Sequence, residues 1–254
     1  MLSLATLVLG AAVGTATPGG WSFGFHAGPF DPSISDDGAV RDYYDLLFTS
    51  SENDYFYEDR PMLLEIEEQS LWDIGFGQAG FAVRLGTWSA RGKARVCTDA
   101  DANVTTCTSE TVSDSTAGNT NIRLTAYPLS ARGVYRFDLL ERRGWFPLEL
   151  QLHAGFNYTF WSSTAAGEVA TTTKDGEDVE ATGGTAGLEF GAAIMLGLDF
   201  LDPATAKRAV ASRGMVGSYL VLSYTVASAD GFGKPNKLHF SGNKIQLGLA
   251  IDFL

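Results

Sequence analysis

An all-β fold is what this sequence predicts: an eight-stranded antiparallel transmembrane β-barrel with long outer loops, short periplasmic turns and one short helix. Three observations carry that reading. Eight segments alternate apolar and polar residues with the period of a strand. Their apolar sides are bulky, while the opposite sides repeatedly carry Gly, Ala and charged residues, as a lipid-facing wall around a crowded lumen requires. The final stretch, 244–254, alternates Ile245, Leu247, Leu249, Ile251 and Phe253 with Lys244, Gln246, Gly248, Ala250 and Asp252. No later residues in the sequence cover its apolar side, and a membrane is the simplest cover.

The first strand sets Trp21, Phe23 and Phe25 against Ser22, Gly24 and His26. The second sets Met62, Leu64 and Ile66 against Glu65, Glu67 and Gln69. In the third, Phe81, Val83 and Leu85 oppose Gln78, Arg84 and Trp88. The fourth begins with Ile122, Leu124 and Ala126 outward and then changes phase to Leu129, Ala131, Tyr135 and Phe137. That change predicts a bulge at Tyr127–Pro128, where a proline is tolerated in a strand. The fifth runs Phe146, Leu148, Leu150, Leu152, Ala154, Phe156, Tyr158 and Phe160 against Glu149, Gln151, His153, Gly155, Asn157 and Trp161. The sixth runs Leu188 to Phe200 against Glu189, Gly191, Gly197 and Asp199, and the seventh sets Val216, Leu220, Leu222, Tyr224 and Val226 against Gly217, Ser223 and Thr225. The longer strands have the roughly 9–11 residues that cross a bilayer.

Connections alternate in length. Residues 31–60, 92–118 and 165–183 are long links, and 70–75, 141–145 and 202–214 are short ones. Long outer loops and short inner turns predict both termini in the periplasm. The last short link reads as a helix, with Asp202 as N-cap, Pro203 in the first turn and Gly214 as stop.

Residues 1–16 form an apolar run ending in small residues and read as a signal peptide, leaving 17–254 as a single barrel domain. The usual positive start of such a segment is absent. A net charge of −12 argues against nucleic acid as a partner. Cys97 and Cys107 lie in a polar loop and are expected to form a disulfide in an exported protein. No cofactor is implied, and no third Cys or His beside the pair suggests a metal.

The residues Gln246, Gly248, Ile251 and Phe253 resemble the C-terminal assembly signal of bacterial outer-membrane β-barrels, although Leu254 follows the aromatic residue that ordinarily ends it. The mature chain resembles small outer-membrane proteins of the OmpA-barrel/OmpX type. The stretch from Gly197 to Pro203, the basic segment after it and Gly217 to Leu220 resemble uncharacterised barrels common in myxobacteria. The resemblance implies a bacterial outer-membrane location, surrounding lipid and lipopolysaccharide, and the barrel assembly machinery as partner during insertion. It brings no known activity. A soluble β-sandwich or lipocalin-like barrel would point the apolar faces inward, where these side chains are too bulky for a small interior.

If the apolar faces meet lipid, the lumen receives Glu65, Glu67, Arg84, Arg123, Arg132, Arg136, Asp138, Glu149, His153, Glu189, Asp199, Lys244 and Asp252. Both signs are present, and an eight-stranded interior is just filled by side chains. The expectation is therefore a plugged barrel with a structural or surface-interaction role. The alternatives are a porin-like channel for ions or small solutes, and a lipid-modifying enzyme built on a rim His239 with Ser241 and Asp230. No motif fixes catalytic roles, so turnover is not expected. Residues 31–60 hold nine acidic residues against Arg41 and Arg60, with Tyr43, Tyr44, Tyr55, Phe56 and Tyr57. An acidic aromatic loop of this kind suits a surface partner, a cation or plain solvation.

Overall fold

The structure, a computed structural model, describes residues 18–30, 32, 61–98, 104–105, 116–138, 146–174, 177–232 and 238–254. Eight long strands make up the barrel: β1 (Pro18–Pro29), β2 (Met62–Asp73), β3 (Gln78–Thr98), β4 (Thr116–Phe137), β5 (Leu148–Ala165), β6 (Thr182–Gly197), β7 (Met215–Ser228) and β8 (Gly242–Phe253). Each pairs antiparallel with its neighbours in sequence. β8 returns to pair with β1, Trp21 opposite Phe253 and Ala27 opposite Leu247, so the sheet closes and leaves no barrel edge. Trp21 and Phe253 stack across that seam with centroids 4.4 Å apart.

The two ends differ in their connections. At the end holding the termini, β2 turns directly into β3: the Ile74 N–H donates to the Gly77 carbonyl at 3.0 Å, and Gly75 takes a φ of 91° that an L side chain rarely adopts. The same end carries the expected helix, α1 (Pro203–Arg213), with Asp202 accepting from the Thr205 N–H at 3.0 Å and Gly214 left-handed at φ 65°. At the other end the sheet grows past the barrel. Val104–Thr105 pairs with the end of β3, Glu168–Val169 with the end of β5, and Thr171–Lys174 with Glu177–Glu180. Stretches expected as loops thus contain extended strand.

The fourth strand corrects an expectation. β4 runs in one register through Ala126↔Trp161, Tyr127↔Phe160, Pro128↔Thr159 and Leu129↔Tyr158, with no bulge and no phase change. The ladder to β3 skips the two positions opposite Tyr127 and Pro128 and resumes unshifted at Leu85↔Leu129; its register shift lies farther out, between Lys93 and Arg95. Leu124 and Ala126 therefore point inward with Pro128, Ser130 and Arg132. The expectation failed because it equated apolar with outward. Gly86 makes room for the proline ring: a Cβ there would lie 2.9 Å from both Pro128 Cγ and Glu65 Cγ.

Elsewhere one parity holds. Phe23, Phe25, Leu64, Ile66, Val83, Leu85, Leu152, Phe156, Phe190, Leu222, Leu247 and Leu249 are exposed on the outer wall, Phe156 by 67%. Their inward neighbours are buried, and many are charged. A water-exposed apolar wall of this extent far exceeds the patch of a few hundred Å2 that soluble monomers present.

Candidate functional site

The lumen is layered. Its middle holds Glu65 and Glu67 of β2, Arg84 of β3, Arg132 of β4, Glu189 of β6 and Lys244 of β8, all at most 2% exposed. Arg84 Nη1 meets Glu65 Oε2 at 2.8 Å and Arg84 Nη2 meets Glu67 Oε2 at 2.7 Å. Arg132 pairs with Glu67, and its Nη1 lies 3.6 Å from Glu189 Oε1. Lys244 Nζ sits 3.3 Å from Glu65 and 3.6 Å from Glu189. Three cations thus face three carboxylates across five strands. Strand alternation places them there: in β2, Glu65, Glu67 and Gln69 share one parity and cannot face lipid without forcing their apolar neighbours inward.

Towards the termini, Arg136 is the hub of a second layer. It donates to Gln151 Oε1 at 3.0 Å, Asp252 Oδ2 at 2.7 Å, Ser22 Oγ at 3.0 Å and Gln69 Oε1 at 2.8 Å. Its partners sit on β1, β2, β5 and β8, so one guanidinium ties strands remote in sequence. Below it lies a cavity of about 260 Å3 lined by Trp21, Leu71, Asp138, Glu149, Tyr219 and Asp252, among others. Tyr219 donates to Glu149 Oε1 at 3.3 Å.

Towards the far end the lumen turns apolar. Phe30, Leu63, Trp88, Ala90, Leu124, Ala126, Ala229, Leu238 and Phe240 form one buried cluster. Phe30 and Phe240 each meet the Trp88 ring edge-on, with centroids 6.3 and 6.4 Å away. Trp88 Nε1 donates to the Phe30 carbonyl at 2.9 Å, and Thr185 Oγ1 donates to the Leu238 carbonyl at 2.5 Å, so the segment before β8 is drawn into the mouth. Between this plug and Lys244 remains a void of about 10 Å3, at the lower limit for one water.

Most of the expected lumen residues stand inside, and two do not. Arg123 is exposed on the outer wall, because β4 keeps its phase and odd positions there face outward. Asp199 lies in the turn after β6, where it accepts from Ser218 Oγ at 2.9 Å. His153 is buried, with Nε2 3.0 Å from Thr225 Oγ1. Gln246 and Gly248 face the lumen. Gln246 accepts from Arg84, and a Cβ on Gly248 would meet His26 Nδ1 at 2.5 Å. Ile251 and Phe253 are half-buried on the seam side. Cys97 lies near the end of β3 opposite Thr105, whereas Cys107, the signal segment 1–16 and, apart from Pro32, the acidic stretch 31–60 lie outside the described residues, so the expected disulfide does too. At the rim, His239 is half-buried between Leu238 and Phe240, while Asp230 accepts from Ser228 Oγ at 3.3 Å and the Phe232 N–H at 2.9 Å.

Sequence reasoning expected a filling of polar and charged groups and missed the apolar cluster at the far end, together with the Ser22, Gln69 and Gln151 partners of Arg136. The signal for the plug was parity: Leu124 is eight residues before Arg132, and Leu63 is two before Glu65.

No family model and no curated protein matches the chain. Among solved structures it is similar to Neisserial surface protein A, at 13% identity over 93% of this chain and 99% of that one, with a TM-score of 0.45. It is similar to Ail, the attachment invasion locus protein of Yersinia pestis, at 11% identity, 92% and 97% coverage and a TM-score of 0.40. It is also similar to a major outer membrane protein of Thermus thermophilus, at 16% identity, 92% and 99% coverage and a TM-score of 0.41. The architecture itself rests on the strand pairing: a closed eight-stranded antiparallel barrel with an apolar outer wall, a charged and ion-paired lumen, and an apolar plug at the end away from the termini.

Proposed function

We propose that this chain is an integral protein of a bacterial outer membrane. In this reading its barrel is a closed stand that displays acidic connections outside, with both termini in the periplasm and neither conduction nor turnover. The filled lumen carries the reading. The described charges of the middle layer pair with one another, and the apolar plug stands between them and the far mouth. The outer wall supports the membrane: in water its half-exposed Phe, Leu, Ile and Val side chains would each forfeit about 1 kcal/mol of burial. Residues 31–60, acidic and rich in Tyr, are the surface offered to a partner.

An epitope inserted between residues 36 and 58 tests the display. Expressed in a Gram-negative host, it is expected to be reached by antibody on intact cells, while the folded protein keeps its heat-modifiable gel migration. An epitope reached only after the outer membrane is broken contradicts the reading.

A further inference from the structure

On the outer wall of β3, β4 and β5, the side chains change character along the strands towards the far end. Leu85, Leu129 and Tyr158 share one level, and Tyr127 and Phe160 the next. Then come three hydroxyls abreast, Ser89, Thr125 and Ser162, and beyond them Arg91, Arg123 and Thr164. Arg91 and Arg123 are both exposed and directly opposite in register. Like charges directly opposite on a strand pair destabilise it. Among the described residues no carboxylate is paired with either one.

From this order of apolar belt, aromatic level, hydroxyl row and guanidinium pair, we propose that Arg91 and Arg123 clamp a phosphomonoester of the glycolipid in the outer leaflet. The inference rests on the outer-membrane reading. The belt fixes the depth of acyl chains, and the aromatic level suits the interface. The arginines then stand two residues beyond the hydroxyl row and four beyond the aromatic level, at headgroup height. Guanidinium forks match phosphate oxygens, and the hydroxyls beneath can donate to the same group. Charge selects the source: two cations balance a phosphomonoester, which carries about −1.5 to −2, better than the single charge of a phospholipid diester. The bound anion also removes the cost of the Arg–Arg contact.

The full chain, refolded into phosphatidylcholine nanodiscs, is offered bis-phosphorylated lipid A, the same lipid stripped of phosphate, or phosphatidylglycerol, and retained lipid is counted by native mass spectrometry. Wild type is expected to retain the bis-phosphorylated lipid best. Arg91→Gln with Arg123→Gln is expected to lower that retention on the order of ten-fold. Lys207→Gln with Arg208→Gln, on α1 at the other end, is expected to leave it unchanged. Undiminished retention by the Arg91/Arg123 variant, or equal retention of phosphatidylglycerol, overturns the clamp. If that variant does not fold, wild type decides alone: retention equal for the stripped lipid overturns it. A wild type that never enters the bilayer removes the membrane reading and the clamp with it.

Discussion

The two ends of the lumen are built from different materials. Away from the termini, Phe30, Leu63, Trp88, Leu124 and Phe240 fill the interior with carbon. Nearer the termini, Arg136, Gln69, Gln151 and Asp252 fill it with hydrogen bonds above a cavity of about 260 Å3. The same barrel diameter thus accepts either filling, and the two do different work. An apolar plug excludes water without desolvating any charge. A charged layer is costly to desolvate, but each guanidinium can satisfy several strands at once, so it specifies which strands meet and in which register. In the proposed reading the apolar cluster closes the far mouth, and the ion-paired layers fix the barrel.

If that division holds, the largest stability loss comes from orphaning charge. Arg84→Met leaves Glu65 and Glu67 short of a partner at no more than 2% exposure, and should cost about 3–5 kcal/mol. Reversible denaturant unfolding from detergent or vesicles reads this. Replacing Arg84 and Glu67 together by apolar residues of similar volume leaves Arg132 and Lys244 facing Glu65 and Glu189, and should recover much of that loss but broaden the native-state spectrum.

Trp88→Ala attacks the other end. It should also cost about 3–5 kcal/mol through the cavity it leaves, and it frees the Phe30 carbonyl. Its distinguishing sign is permeability: small solutes should enter reconstituted vesicles, which Arg84→Met need not allow. Equal leakage from both variants would erase the contrast between the ends.

A smaller effect is expected at Gly248, where a Cβ would crowd His26 and the Phe25 carbonyl. Gly248→Ala should cost about 1–3 kcal/mol by overpacking. Refolding in vitro, without assembly machinery, separates this packing role from any recognition of the C-terminal signal.

The smallest effect belongs to α1. Hydrogen bonds from Thr205 hold the Asp202 carboxyl below the usual aspartate range. A depressed folded-state value means the cap's contribution is complete above the ordinary aspartate range and is lost as pH falls through that lowered value. The protection factor of the Thr205 amide, with the intrinsic pH dependence of exchange divided out, should therefore fall in acid while those of the barrel amides do not change. Asp202→Ala should show low Thr205 protection at every pH.

The barrel was legible because its signal is periodic. Eight alternations, the closing strand and the Asp202–Gly214 helix follow from local patterning and caps, and, the phase of β4 apart, the structure places them as read. Glu65, Glu67, Arg84 and Lys244 were placeable inside because a charge among alternating apolar residues has only one face to take. The plug was not legible by the same rule, because an apolar residue is compatible with either face. Leu124 and Ala126 were assigned outward on hydropathy and carried Arg123 inward with them. Only strict parity through Pro128 contradicts that, and a proline invites a bulge. Individual ion pairs were illegible for another reason: which cation meets which carboxylate depends on register across strands up to 179 positions apart, as for Lys244 and Glu65.

Single-channel recording in a planar bilayer tests the proposed sealing of the lumen most directly, using only protein that shows the heat-modifiable shift of a folded barrel. The wild type is predicted to be silent, and a variant emptied of Trp88 and Phe240 side chains is predicted to open. Discrete, reproducible openings from the wild type would contradict the account.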